Sequence, residues 1–67
     1  MTYTISLDQE ADGRWIAEVE SLPGVLAYGA SKEQAIAKAE ALALRVVAER
    51  IEQGESSAQL KISFITA

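Results

Sequence analysis

The chain has 67 residues, ten acidic against six basic, a net charge of −4, and neither His nor Cys. That length allows one domain, residues 1–67, and a domain so small buries only ~60% of the surface its unfolded chain exposes. The missing Cys excludes disulfides and thiol chemistry, and the missing His leaves a structural zinc with carboxylates alone. Small domains without those staples lean on a partner subunit, so self-association is expected.

Hydrophobic residues make up 49% of the chain, with one Pro and four Gly, a globular composition. The acidity disfavours non-specific contact with phosphate backbones and suits a basic partner, although mild acidity also serves solubility alone. No apolar run approaches the ~20 residues of a membrane span. The opening Met1-Thr2-Tyr3-Thr4-Ile5 alternates polar with apolar, so it does not read as a signal peptide. The expected location is the cytoplasm.

Thr2 to Asp8 alternates strictly, with Tyr3, Ile5 and Leu7 on one face and Thr4 and Ser6 on the other, which predicts a half-buried strand. Glu10-Ala11-Asp12-Gly13 follows, and Asp-Gly suits the positive-φ positions of a hairpin turn. Arg14 to Glu20 alternates again, setting Trp15, Ala17 and Val19 against Glu18 and Glu20. In Leu22-Pro23-Gly24-Val25 the Pro presets φ and the Gly permits a positive one, as a type II turn requires. Val25 to Tyr28 makes a short third strand.

Ser31-Lys32-Glu33-Gln34 has the pattern of a capping box. The spacing predicts a helix over about Lys32 to Glu52, rich in good helix formers and stopped at Gly54. A fourth strand is expected from Gln59 to Ile65, with Leu60, Ile62 and Phe64 on one face. The order is strand, strand, strand, helix, strand: an α+β domain with one mixed sheet and the helix across one face. The last strand is parallel to the first and third and can pair beside either.

Ala35, Ile36, Ala39, Ala43, Val46 and Val47 form one apolar arc of the helix. Ala37, Ala41, Leu44, Ala48 and Ile51 continue the apolar surface well round the cylinder, leaving Lys38, Arg45, Glu49 and Glu52 as the polar strip. A helix so broadly apolar is normally covered on more than one side. Exposed alanines alone would need no cover.

Nothing in the chain assembles a catalytic site, since the usual general base and the thiol nucleophile are absent. Asp8, Glu10 and Asp12 share the opening spacing of a calcium loop, but its Gly and terminal Glu are misplaced, so no metal is expected. The glycines are too scattered to cradle a phosphate, and the basic residues form no nucleic-acid footprint. Neither a cofactor nor an enzymatic activity is expected.

The run Asp12-Gly13-Arg14-Trp15-Ile16-Ala17-Glu18-Val19, then Leu22-Pro23-Gly24-Val25, then Gly29-Ala30-Ser31-Lys32-Glu33-Gln34-Ala35 resembles the bacterial HicB-like antitoxin family. Its members carry an aromatic in the second strand, a Leu-Pro-Gly turn, and a Gly-x-Thr/Ser-x-Glu-Glu/Gln-Ala opening to a long helix. The likeness spans the chain in element order and is motif-level from Asp12 to Leu44. It implies a partly degraded ribonuclease-H-like fold, with the fourth strand beside the first. It further implies a dimer or tetramer that neutralises HicA, a small basic mRNA-cleaving toxin of a toxin–antitoxin system.

Many members also bind promoter DNA through a C-terminal segment. This chain reads as a short form without it, so no DNA binding by the chain alone is expected. The alternative is a stand-alone homo-oligomeric module of the same fold that binds another protein or a small ligand. Candidate partner contacts are Trp15, Leu22, Pro23 and Tyr28, apolar and aromatic groups near the turns. Trp15 shares its alternation with Ala17 and Val19, which favours a core or oligomer contact over a partner contact. Candidate oligomer contacts are Ala41, Leu44 and Ala48 on the helix and Leu60, Ile62 and Phe64 on the last strand, whose edge is a pairing template.

Overall fold

The computed structural model of the chain describes residues 1–54 and 61–67. Its elements in order are β1 (Thr2–Gln9), β2 (Trp15–Val19), β3 (Leu26–Gly29), α1 (Lys32–Glu52) and β4 (Ser63–Thr66). The fold is α+β, one four-stranded sheet in the order β3-β2-β1-β4 with a single long helix on one face. β1 and β2 pair antiparallel, as do β2 and β3, while β4 joins β1 in parallel. Of the two edges open to the last strand, it takes the one beside the first.

The hairpin between β1 and β2 departs from the Asp-Gly expectation. Only Gly13 has a positive φ there, +93°, and no non-glycine residue in the described chain does. Gly13 N–H donates to Glu10 C=O at 2.9 Å, and Glu10 N–H to Arg14 C=O at 2.7 Å. That is the three-residue loop, a type I turn followed by one left-handed glycine, which leaves Asp12 on the ordinary side of φ. The second turn follows the rule: Val25 N–H donates to Leu22 C=O at 3.0 Å, with Gly24 at φ +84°.

The helix has the bounds its caps dictate. Ser31 Oγ accepts from Gln34 N–H at 3.1 Å, and Gln34 Oε1 accepts from Ala30 N–H at 2.6 Å, one residue before the reciprocal bond of a standard capping box. At the other end Gln53 N–H donates to Glu49 C=O at 3.0 Å, and Gly54 to Ile51 C=O at the same distance. Ser31→Ala removes one of these partners. Thermal unfolding is expected to show a loss of about 1 kcal/mol with the fold unchanged.

Ala35, Ala39, Ala43 and Val47 are the buried row of α1, and it packs on β2 and β3. Ile36 and Val46 from the expected arc are half-buried against the core, and so is Leu42, one turn before Val46 on the same flank. Tyr3 and Ile5 of β1, Ala17 and Val19 of β2, and Ala27 of β3 face the row, with Leu22 and Val25 closing the turn end. No buried polar side chain interrupts this core among the described residues. Among them, too, no helix is long and apolar enough to cross a membrane.

β4 is shorter at its start than expected and extends one residue further, to Thr66; Gln59 and Leu60 lie outside the described residues. Phe64 stands opposite Tyr3 in the register, their ring centroids 5.9 Å apart, so the last strand closes the core from the β1 side. Met1 is tied to the same strand: its amino group donates to Lys61 C=O at 2.8 Å, and its carbonyl accepts from Ser63 N–H at 2.9 Å.

Candidate functional site

Period-two alternation sends Tyr3, Ile5, Ala17, Val19 and Ala27 towards α1 and the intervening residues to the opposite side of the sheet. That second face is open. Across it run Ser6 and Asp8 from β1, Ile16 and Glu18 from β2, Leu26 and Tyr28 from β3, and Ile65 from β4. The register sets Ser6 against Glu18, Asp8 against Ile16, and Ile16 in turn against Tyr28. The β1 side of this face is therefore polar and the β3 side apolar, with Ile16 and Glu18 of β2 between them.

Ser6, Asp8, Gln9, Glu10, Ile16 and Glu18 line a shallow depression of about 360 Å³ on this face. Three of the six are carboxylates, and no basic side chain lines it. Ser6 Oγ donates to Glu20 Oε1 at 3.0 Å, which draws a further carboxylate to its border. No three carboxylates stand close enough together to hold a metal ion among the described residues. The depression is an acidic surface, open to cationic side chains.

Its neighbouring cation is already engaged. Arg14 Cζ lies 4.7 Å from the centroid of the Tyr28 ring, and Arg14 Nε pairs with Asp12 Oδ2 at 2.8 Å. The Arg14 backbone N–H donates to Asp12 Oδ1 at 3.1 Å; that bond, with the guanidinium behind it, holds the Asp12 carboxyl below the usual carboxylate range. Tyr28 remains 40% exposed, with its ring oriented by a cation on one side.

The four candidate partner contacts do not come together. Trp15 is half-buried on the helix side of the sheet and packs against the core, with Lys32 Nζ 4.9 Å from its ring centroid. Leu22 is 2% exposed, a core residue with no surface to offer a partner. Pro23 is exposed at the turn, and Tyr28 lies on the open face. Asp8, Glu10, Ile16, Glu18 and Leu26 belong to that face; the sequence weighed its carboxylates only as a metal site and pointed to none of the five as a partner contact. The available signal was a break in alternation: Ile16, Leu26 and Tyr28 are large apolar or aromatic groups at positions that should be wet.

The candidate oligomer contacts also divide. Ala41, Leu44 and Ala48 are exposed on α1. Ile62 and Phe64 are half-buried and pack against the core at the far edge of the sheet, whereas Leu60 lies outside the described residues. Compared with family models, with curated proteins and with solved structures, the chain finds no match in any of the three.

Proposed function

We propose that the chain is a protein-binding domain of the HicB-like antitoxin type, with a partly degraded ribonuclease-H-like fold. It neutralises a small basic HicA-like mRNA-cleaving toxin by direct contact. The open sheet face carries this reading: an acidic depression beside an aromatic and apolar row, covered by no described element. A ribonuclease presents Lys and Arg to hold RNA phosphates. An acidic surface meets those cations by charge complementarity, which speeds encounter and fixes register more than it adds affinity. Ile16, Leu26 and Tyr28 supply the apolar anchorage that affinity needs. In this reading its role is to bind and not to catalyse, in the cytoplasm and without binding DNA itself; a net charge of −4 accords with the last point.

Co-expression with a small basic ribonuclease encoded beside the gene is expected to relieve growth arrest and to yield a complex that survives purification. Tyr28→Ala should weaken that complex by about thirtyfold, the loss of about 2 kcal/mol typical of a well-placed aromatic anchor. Glu18→Lys should slow association about tenfold and steepen no dissociation. Glu18 is exposed, so its variant should melt with the parent, whereas Tyr28→Ala also loses the Arg14 contact and a strand-favouring ring and should melt lower by about 1 kcal/mol while staying folded. Persistent growth arrest with no complex sinks the antitoxin reading. A complex indifferent to both substitutions moves the contact off the open face.

A further inference from the structure

β3 stands at the end of the sheet order, so one side of its backbone has no described strand beside it. The register decides which groups lie on that side. Val19 N–H donates to Val25 C=O at 2.9 Å, and antiparallel pairing alternates bonded with non-bonded pairs. Ala17–Ala27 and Trp15–Gly29 are therefore the bonded pairs. Leu26 and Tyr28, opposite Glu18 and Ile16, turn their N–H and C=O groups outwards. Among the described residues nothing takes up these four groups. The next N–H on that side, that of Ala30, is already held by Gln34 Oε1 at 2.6 Å, so the open stretch ends there. Edges are usually blunted by a charged residue, a Pro or a cover, and Leu26-Ala27-Tyr28-Gly29 has neither charge nor Pro.

The two ends of this edge differ in charge. At Leu26 the flanking β2 residue is Glu18, with Glu20 beyond it, and neither carboxylate has a basic partner among the described residues. Towards Gly29, Arg14 lies over the Tyr28 ring, and Lys32 lies over Trp15, the residue paired with Gly29. We propose that β3 takes up an extended segment of a partner protein as an added antiparallel strand, with an aliphatic residue facing Tyr28 and a Lys or Arg two residues later facing Leu26. The occupant rests on the protein-binding role of the open face and gives the partner its form.

Antiparallel addition lets the four outward groups close two doubly bonded pairs with directly opposed residues. Opposed side chains share a face, so the aliphatic and the basic side chain both lie on the open one. The stem of the Lys or Arg covers Leu26, and its head reaches Glu18 across about 10 Å of sheet, two strand spacings away. At Tyr28 one side of the ring already holds a cation, so a second is repelled and an apolar group fits. Backbone bonds supply the strength of such additions, and the alternate side chains supply the selectivity. A second copy of the chain suits the edge less well, since its own β3 has no basic residue to offer Glu18 and its net charge is again −4.

The test titrates the capped peptide acetyl-Ser-Thr-Ile-Thr-Lys-Thr-Ser-amide into the isotope-labelled full chain, read by amide resonances. So small a contact should give a dissociation constant of about 0.1–1 mM. The amides of Leu26 and Tyr28 should shift most and gain protection from exchange, while those of Ala27 and Gly29, already bonded to β2, move less. Methylating the peptide nitrogen of Ile or of Lys should weaken binding about tenfold or more, because those N–H groups face β3. Methylating the Thr between them should not. Exchanging Lys for Glu in the peptide should weaken binding about fivefold, and Glu18→Lys in the chain should reverse that preference. No shift at millimolar peptide, or binding indifferent to methylation at the facing nitrogens, overturns the added strand. Protection of Leu26 and Tyr28 that grows with concentration of the chain alone also overturns it and gives the edge to a second copy. Tighter binding of the reversed order, Lys-Thr-Ile, overturns the antiparallel direction. A toxin complex weakened by Tyr28→Ala that leaves the Leu26 and Tyr28 amides open to exchange removes the strand and keeps the open face. Peptide binding as expected, with growth arrest unrelieved in co-expression, keeps the strand and removes the toxin.

Discussion

Gly29→Ala is expected to lower the unfolding free energy by about 3 kcal/mol or more, although it adds one methyl group at the end of a four-residue strand. A Cβ at Gly29 would stand 2.5 Å from Ala35 N, and 3.0 Å from both Ala35 Cα and Gln34 C. All three atoms are backbone, so no rotamer change relieves the clash. The first turn of α1 would have to lift from the sheet, disturbing the Ser31 cap and the burial of Ala35. The cost is steric and not conformational, because φ at Gly29 is not in the left-handed region. Gly13→Ala is the useful contrast. Its added Cβ meets nothing within 4 Å, but φ is +93°, so it should lose only about 1 kcal/mol. Urea unfolding of the two variants separates the mechanisms. At about 0.05–0.15 kcal/mol per residue, a domain this size has only a few kcal/mol in hand. Gly29→Ala should then be partly unfolded at 25 °C, and an unchanged midpoint would mean that the helix does not approach β3 so closely.

The second large effect falls on Ile5. It is 0% exposed, sits on a strand with neighbours on both sides, and faces Val19 across the β1–β2 ladder. Ile5→Ala should cost about 3–4 kcal/mol, combining lost transfer energy with a cavity that rigid flanking strands cannot collapse. Ile65→Ala provides the same chemistry on the open face of β4, where the side chain is 55% exposed. Its cost should stay below about 1 kcal/mol. Similar losses from both substitutions in thermal unfolding would indicate that the open face is covered in solution.

Local signals were legible in the sequence. Both helix ends could be read because Ser31, Gln34 and Gly54 act within a few residues of themselves. The hairpin between β1 and β2 could be located for the same reason, although Asp12-Gly13 resolved into a three-residue loop whose closure depends on Glu10 and Arg14. What alternation could not specify was the edge that β4 would take. Phe64 meets Tyr3 across 61 positions, and an apolar period of two is the same at either edge. The open face was hidden for a related reason. Asp8, Ile16 and Tyr28 sit on three separate strands, and only the register makes them neighbours. Leu22 misled because a Leu beside a Pro-Gly turn reads as exposed, whereas its bonded turn folds the side chain under the sheet end. Close packing at Gly29 left no periodic trace, since a missing Cβ looks the same whether it serves a turn or makes room for a helix.

The parallel pairing of the first and last strands also has a mechanical meaning. A pull applied at Met1 and Ala67 draws β1 and β4 past each other along their length, because the strands run the same way and are gripped at opposite ends. The ladder is then loaded in shear. Its bonds, from Ser63 N–H on Met1 C=O to Ala67 N–H on Ile5 C=O, share the load together instead of opening one at a time. The Tyr3–Phe64 contact lies between those two bonds and must slide with them. In this geometry the strands farthest apart in sequence form a clamp that holds the sheet against traction at its ends.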